Sequence, residues 1–159
     1  MIPQIERVIF EKIDYVTKYL HLREKYSSNG TLCWIFKKSD VLQVFDELNY
    51  KVEYIKGGAY IIKKIYDKYC FEYRFIITKN DFSIYLYIYI DDKLLKERVS
   101  NIASVLRYIP YDIELAEKIN VKGVVLDTRN DLKNYLIDII SLLDEFVFEY
   151  VDSQTAQSL

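Results

Sequence analysis

The sequence predicts an α+β protein in which helices flank an antiparallel sheet. Three observations support this: apolar residues recur at three- and four-residue steps near both ends of the chain, they alternate over 51–90, and two-residue breaks divide the alternating stretch. Hydrophobic residues make up 51% and charged residues 29% of the 159, which is the composition of a compact chain. One core suffices at this length, so we expect a single domain over 1–151 followed by a polar tail at 152–159.

The first third of the chain predicts two helices separated by a strand. Apolar residues at helical spacing over 5–20 predict one long amphipathic helix, and the polar turn sequence at 27–30 ends it. The aromatic and β-branched run 31–36 predicts a short strand. Ser39 is the predicted N-cap of the second helix, and Asn49 lies at its C-terminal end.

The middle of the chain predicts an antiparallel meander of about four strands. From residue 51 to residue 90 the apolar period changes from 3.6 to 2. The alternation is interrupted at Gly57-Gly58, Asp67-Lys68 and Asn80-Asp81, which are turn-forming pairs. Short turns of this kind join neighbouring strands as hairpins.

A two-residue turn at Asn80-Asp81 would determine the register of the last hairpin. The resulting pairs are Phe75 with Leu86 and Tyr73 with Ile88 on one face, and Ile76, Arg74 and Glu72 with Tyr85, Tyr87 and Tyr89 on the other. One face is then apolar, with Phe75, Leu86 and Ile88 inward, and the other combines tyrosines with charges. The same rule pairs Lys63 with Glu72 across the middle hairpin.

The last third predicts two more helices and a hairpin between them. Asp91-Asp92 precede a helix at 92–108, which ends before Pro110 because the residue preceding proline avoids the α region. We favour a hairpin at 112–128, although the first part of that segment also has a helix-forming composition. The final helix at 130–151, with Asn130 as its cap, has this buried stripe: Leu132, Tyr135, Leu136, Ile139, Ile140, Leu143, Val147 and Tyr150.

Residues with the usual catalytic or metal-binding chemistry are few. His21 is the single histidine, so a triad or a histidine metal site has no partners of the usual kind. Cys33 and Cys70 match no zinc or redox spacing and are expected to be buried thiols. The glycines lack the following lysine of a phosphate-binding loop. We therefore predict that the chain has no catalytic, cofactor-binding or metal-ligating residue and that the protein is not an enzyme. An enzyme whose active site uses only tyrosine, arginine, lysine and carboxylates remains an alternative.

Charge and hydropathy restrict the partners. The net charge of −2 argues against a nucleic-acid binder, which needs a basic stripe for phosphate contacts. The first residues do not form an apolar run of signal-peptide length, and no uncharged apolar run reaches the length of a membrane span. We expect a cytoplasmic protein with no membrane partner.

The tyrosines are the first candidate interface. The chain has 16 of them, and Tyr85, Tyr87 and Tyr89 alternate along one strand, beside Glu72 and Arg74 in the predicted register. If a second layer of helices covers this face, the three tyrosines are part of the core. If the face stays half-exposed, the tyrosines form an aromatic platform for a partner, since tyrosine and arginine are enriched at protein interfaces. Stacking of single-stranded nucleic acid is a third reading, but it needs more positive charge.

The C-terminal segment is the second candidate. After residue 130 it has six acidic residues and one lysine. Asp144, Glu145, Glu149 and Asp152 crowd the end of a helix, where the macrodipole disfavours negative charge. They form either a solvated face or a docking surface for a basic partner.

From Ser39 onward the order of elements resembles the type III secretion chaperone-like fold. The resemblance implies a small protein that binds another polypeptide, commonly as a homodimer, and it assigns no residues. The chain is also similar to small bacterial immunity proteins, which bind a cognate toxin. We therefore expect a protein-binding module with no cofactor that neutralises a toxin, with a secretion chaperone or a phage anti-defence protein as the alternatives.

Overall fold

A computed structural model describes residues 2–26, 36–78, 82–95, 101–109, 113–114, 117, 124 and 126–157. It confirms an α+β fold with an antiparallel sheet. The helices are α1 (Gln4–Lys12), α2 (Tyr15–Lys25), α3 (Lys38–Glu47), a 3₁₀ helix (Ile102–Arg107) and α4 (Arg129–Ala156). The strands are β1 (Glu53–Ile55), β2 (Ala59–Tyr66), β3 (Tyr69–Ile77), β4 (Phe82–Ile90) and β5 (Lys93–Leu94). No helix within these residues is both long enough and apolar enough to cross a membrane.

The sheet is a meander with the strand order β1-β2-β3-β4-β5, and every neighbouring pair is antiparallel. This confirms the predicted meander and adds a fifth strand. Gly58 has a φ of +97°, and a Cβ there would lie 2.9 Å from the carbonyl oxygen of Ile77, so the turn requires glycine. The turn at Asp67-Lys68 is a two-residue turn, because Tyr66 pairs directly with Tyr69.

The register of the β3–β4 hairpin differs from the prediction by two residues. The observed pairs are Phe75 with Ile84, Tyr73 with Leu86, Arg74 with Tyr85 and Glu72 with Tyr87. Ile77 pairs with Phe82, so the connection is longer than the predicted two-residue turn, whose residues Asn80-Asp81 lie outside the described part of the chain. A shift of two keeps every side chain on its predicted face. Phe75, Leu86 and Ile88 are buried as predicted, and Lys63 pairs with Glu72.

The predicted single helix at the N-terminus is wrong, because the chain breaks it at Asp14. Asp14 has a φ of 52° and a ψ of 42°, in the left-handed region, and it separates α1 from α2. The backbone N–H groups of Ile13 and Asp14 donate to the carbonyls of Ile9 and Glu11, which ends α1. Aspartate tolerates this conformation better than most residues. The break lets both helices pack against α4.

The predicted helix at 92–108 is also wrong at its start. Asp91 and Asp92 both have positive φ, at 48° and 62°, and form the turn between β4 and β5. Two positive φ values in a two-residue connection match the twist of a hairpin. Among the described residues of 92–108, the helical part is the 3₁₀ segment at Ile102–Arg107, where the Asn101 side chain accepts a hydrogen bond from the Ala103 N–H.

Two helix starts differ from the predicted caps. The N-cap of α3 is Lys37, and its N–H donates to the Asp40 carboxylate, while Ser39 lies inside the first turn. The N-cap of α4 is Thr128, not Asn130. Its hydroxyl accepts from the Asp131 N–H, and the Asp131 carboxylate accepts from the Thr128 N–H.

Two other predicted segments differ from the structure, one in its C-terminal end and one in its type of secondary structure. Helix α4 continues past 151 to Ala156, where the Ser153 and Thr155 hydroxyls donate to carbonyls one turn earlier. Within the predicted hairpin at 112–128, the described residues Ile113, Glu114 and Glu117 are helical, so helix-forming composition outweighs the alternation there. The rest of that hairpin, apart from Val124 and 126–128, and the strand predicted at 31–35 lie outside the described residues.

Helix α4 lies between the sheet and the α1–α2 pair. On its sheet side the Tyr150 ring packs edge-on against Phe71. On its other side Phe146 stacks on Phe10 of α1, with ring centroids 4.5 Å apart. Helix α3 adds Phe45, which lies 5.5 Å from Phe75. Helices α1, α2, α3 and α4 therefore lie on one side of the sheet, and we call the opposite side the outer face.

Candidate functional site

Tyr85, Tyr87 and Tyr89 lie together on the outer face of the sheet, as the alternation predicts, and each is partly exposed. In the observed register Arg74 pairs with Tyr85 and Glu72 pairs with Tyr87, while Tyr89, which was predicted to oppose Glu72, pairs with Cys70. The tyrosine face is defined by the three tyrosines together with Arg74 and Glu72. Because the three tyrosines are neither fully buried nor fully exposed, part of their aromatic surface can contact a partner.

An internal ion pair holds the charged part of the tyrosine face. Arg74 donates from Nη2 and Nε to Oε1 of Glu72, at 2.5 and 3.1 Å. Glu72 is only 5% exposed. Burial alone would lower the pKa of Arg74, but the hydrogen bond and charge of Glu72 outweigh it and raise that pKa. The guanidinium therefore stays charged and fixed in position.

The same guanidinium lies against an aromatic ring. Its central carbon is 4.8 Å from the centroid of the Tyr87 ring, within the range of a cation–π interaction. The Tyr87 ring in turn stacks with Tyr85, with centroids 6.3 Å apart and an interplanar angle of 22°. Glu72, Arg74, Tyr87 and Tyr85 thus form one connected, preorganised group.

A cleft of about 470 Å³ adjoins this group on the β1 side of the sheet. Its lining includes Ile61 and Lys63, the cross-strand neighbours of Arg74 and Glu72. Glu53 lines it as well and accepts a hydrogen bond from Lys63 at 3.3 Å, which raises the pKa of Lys63. A side chain of a partner could therefore contact both apolar and charged groups in this cleft.

The acidic C-terminal residues do not form an uncompensated surface. Lysines from α1, α2 and β2 face them across the helix packing. The pairs are Glu149 with Lys12, Glu145 with Lys18 at 2.5 Å, Asp138 with Lys25 at 2.8 Å, and Asp144 with Lys64 at 3.5 Å. Asp144 also accepts a hydrogen bond from the Tyr73 hydroxyl at 2.7 Å. Of the four predicted acidic site residues, Asp152 alone has no partner among the described residues.

The sequence analysis missed an exposed phenylalanine on α4. Phe148 of α4 is 67% exposed, between Glu145 and Asp152. Its position outside the predicted buried stripe of the helix was the available signal, since a phenylalanine on the polar side of an amphipathic helix needs an explanation.

Of the other reactive side chains, His21 lies on α2 and Cys70 lies opposite Tyr89 in the sheet. The His21 imidazole lies 3.6 Å from Glu24, and its side chain is 62% exposed. Cys70 is a free thiol that is only partly buried, not fully buried as predicted. Burial nevertheless raises the pKa of the Cys70 thiol, which disfavours the reactive thiolate. Cys33 lies outside the described residues. Within the described ranges, no group of three histidine, cysteine or acidic side chains is arranged to hold a metal ion.

Fold and site together define a small α+β protein whose sheet has one face under helices and one half-exposed face of tyrosines. Comparison of the chain with protein-family models, curated proteins and solved structures found no match.

Proposed function

We propose that this protein is a non-enzymatic module that binds another protein on its tyrosine face, and that it neutralises a toxin in the manner of an immunity protein. The observation that carries the proposal is the fixed guanidinium of Arg74, held by Glu72 and stacked on the half-exposed Tyr87. Tyrosine and arginine, with tryptophan, are enriched among the residues that supply most of the binding energy at protein interfaces.

Preorganisation supports this surface over the acidic end. A side chain that is already fixed loses little conformational entropy when a partner binds. The carboxylates Glu145 and Glu149 are engaged with Lys18 and Lys12, so a basic partner would have to compete with those lysines. The partner is therefore expected to present apolar and hydrogen-bonding groups to the tyrosines more than a block of positive charge.

Three variants test the surface. Tyr87→Ala removes the ring and should speed dissociation of the partner by about tenfold or more, as for a central interface anchor. Tyr87→Phe keeps the ring and should retain most of the affinity. Tyr108→Ala is the control for the loss of an exposed tyrosine ring at another position, because Tyr108 is 38% exposed and directly follows the 3₁₀ helix.

The partner is isolated by affinity purification from the native host, and rates are then measured with the purified pair. Thermal unfolding is recorded first, since a variant that unfolds would identify Tyr87 as core. Co-expression tests the immunity role: wild type and Tyr108→Ala should protect cells from the captured toxin, and Tyr87→Ala should not. Capture of a secreted effector or of a host defence protein would favour the chaperone or the anti-defence alternative instead. Equal dissociation rates for Tyr87→Ala and wild type would contradict the proposed surface.

A further inference from the structure

Two large apolar residues are exposed on the same side of α4. Phe148 is 67% exposed and Ile137 is 45% exposed. Eleven positions separate them, which is about three helical turns, so both side chains project in nearly the same direction, about 16 Å apart along the axis. Neither contributes to the core that α4 forms with the sheet and with α1–α2.

These residues belong to a stripe along α4 in which the two large apolar side chains lie symmetrically about the middle. The stripe spans about 100° of the helix surface, as the helical period requires. We call it the outer stripe, and its members between positions 133 and 152 are Lys133, Asn134, Ile137, Ser141, Asp144, Phe148, Val151 and Asp152. About a midpoint between positions 142 and 143, the stripe pairs Lys133 with Asp152, Asn134 with Val151, Ile137 with Phe148 and Ser141 with Asp144.

The two ends of the stripe are electrostatically complementary. Lys133 shares the single carboxylate of Glu47 with Arg129, at 3.2 and 2.9 Å. Asp152 is exposed, and the described residues offer it no partner. An antiparallel copy of the helix would bring each Asp152 opposite Lys133 of the other copy, and it would also oppose the two helix macrodipoles.

We infer that the outer stripe of α4 binds a second copy of this chain, forming an antiparallel, two-fold symmetric helix pair. In this arrangement Phe148 of each copy packs on Ile137 of the other, and the small Ser141 near the axis permits close approach of the two helices. An isologous contact of this kind requires a self-complementary patch, and the outer stripe has one in hydropathy and in the charges at its two ends, while Asp144 near the axis is held by Tyr73 and Lys64 of its own chain. The inference is independent of the proposed function, because it uses a different element.

Sedimentation velocity on the full chain, from about 1 μM to about 1 mM, is the first test. The mass of the wild type should rise from monomer towards dimer with concentration. Phe148→Glu should raise the dissociation constant of the dimer by about tenfold or more. Ile65→Glu is the matched control, because Ile65 is 72% exposed on the outer face of the sheet. A wild type that stays monomeric, or a control that weakens the dimer as much as Phe148→Glu, would overturn the inference.

Charge exchange tests the orientation. Asp152→Lys places like charges opposite each other at both ends of the pair and should weaken the dimer, and Lys133→Asp should do the same. The double variant restores opposite charges and should recover the wild-type dissociation constant. A double variant no better than either single one would exclude the antiparallel register.

Disulfide trapping tests the contact itself. In a Cys33→Ser/Cys70→Ser background, Ile137→Cys and Phe148→Cys chains are mixed and oxidised. The mixed dimer keeps one native Ile137–Phe148 contact and should form a disulfide between position 137 of one chain and position 148 of the other. Preferential trapping within either single variant alone, 137 to 137 or 148 to 148, would contradict the arrangement. Tyr87→Ala should leave the dimer unchanged, which separates this test from that of the proposed function.

Discussion

At the scale of single residues, the contact between Tyr73 and Asp144 shows how a polar group is accommodated in the core. Tyr73 is fully buried at the middle of β3, and its hydroxyl donates to Asp144 at 2.7 Å. Burial, together with the carboxylate, raises the pKa of Tyr73 far above its ordinary value. The hydroxyl is therefore a permanent donor, and Asp144 is its acceptor.

The two partners of this hydrogen bond should respond unequally to mutation. Tyr73→Phe removes the donor and leaves a carboxylate that still contacts Lys64 and solvent, so the free energy of unfolding should fall by about 1 kcal/mol. Asp144→Ala leaves a buried hydroxyl without its acceptor and should cost about 1–3 kcal/mol. Urea unfolding at low protein concentration measures both variants.

The double variant Tyr73→Phe/Asp144→Ala is the control for this pair. Because the two residues are in contact, its cost should be smaller than the sum of the two single costs. Additive costs would show that the hydrogen bond contributes nothing to stability.

At the scale of secondary-structure elements, the break between α1 and α2 depends on one backbone conformation. Asp14 is left-handed, with a φ of 52°. Glycine adopts this region without steric cost, whereas a β-branched residue does not. We expect Asp14→Gly to leave the free energy of unfolding unchanged or raise it by up to about 1 kcal/mol, and Asp14→Val to lower it by about 1–2 kcal/mol. Equal values for the two variants would mean that the break does not constrain the chain.

Helix α4 contributes the centre of the core through its buried side. Leu136 is 0% and Ile140 is 1% exposed. Leu136→Ala and Ile140→Ala should each lower the free energy of unfolding by about 2–5 kcal/mol, because each leaves a cavity in packed surroundings. Ile137→Ala is the matched control on the same helix and should change it by no more than about 0.5 kcal/mol. Chemical unfolding below the self-association range measures all three, and a small loss at both buried positions would contradict this orientation of the helix.

At the scale of the whole molecule, buried tyrosines make stability depend on pH in the alkaline range. Burial raises the pKa of Tyr60 and of Tyr150 to about 12, and it also raises the pKa values of Tyr15, Tyr19 and Tyr135. In the unfolded chain each would titrate near pH 10. The folded state therefore retains protons that the unfolded state releases.

A tyrosine whose pKa is raised in the folded state contributes its full stabilisation below the pKa of the unfolded chain. This stabilisation is lost as the pH rises from the unfolded-state pKa to the folded-state pKa. We expect the free energy of unfolding to decline from about pH 10 towards pH 12, by about 1.4 kcal/mol per pH unit for each such tyrosine. Urea unfolding between pH 8 and about pH 11 measures the decline. A Tyr60→Phe/Tyr150→Phe variant should lose stability less steeply, and a wild type equally stable at both ends of this range would contradict the burial of these hydroxyls.

The sequence by itself determined the class of the fold and the faces of its elements. Alternation places Phe75, Leu86 and Ile88 on the covered face and Tyr85 and Tyr87 on the other, because successive side chains of a strand point to opposite sides. Turn residues with special backbone conformations identified the hairpins at Gly57-Gly58 and Asp67-Lys68. These are local properties, and the structure confirms them.

Tertiary structure decided what local patterns leave open. The β3–β4 register moved by two residues because alternation has a period of two and cannot distinguish registers that differ by that number. Acidic residues of α4 pair with lysines of α1 and α2 that are more than a hundred positions away in the sequence. The left-handed conformation of Asp14 allows both of these helices to pack against α4. The exposure of Phe148 and of the tyrosine face likewise depends on which surfaces the helices leave uncovered, and only long-range packing determines that.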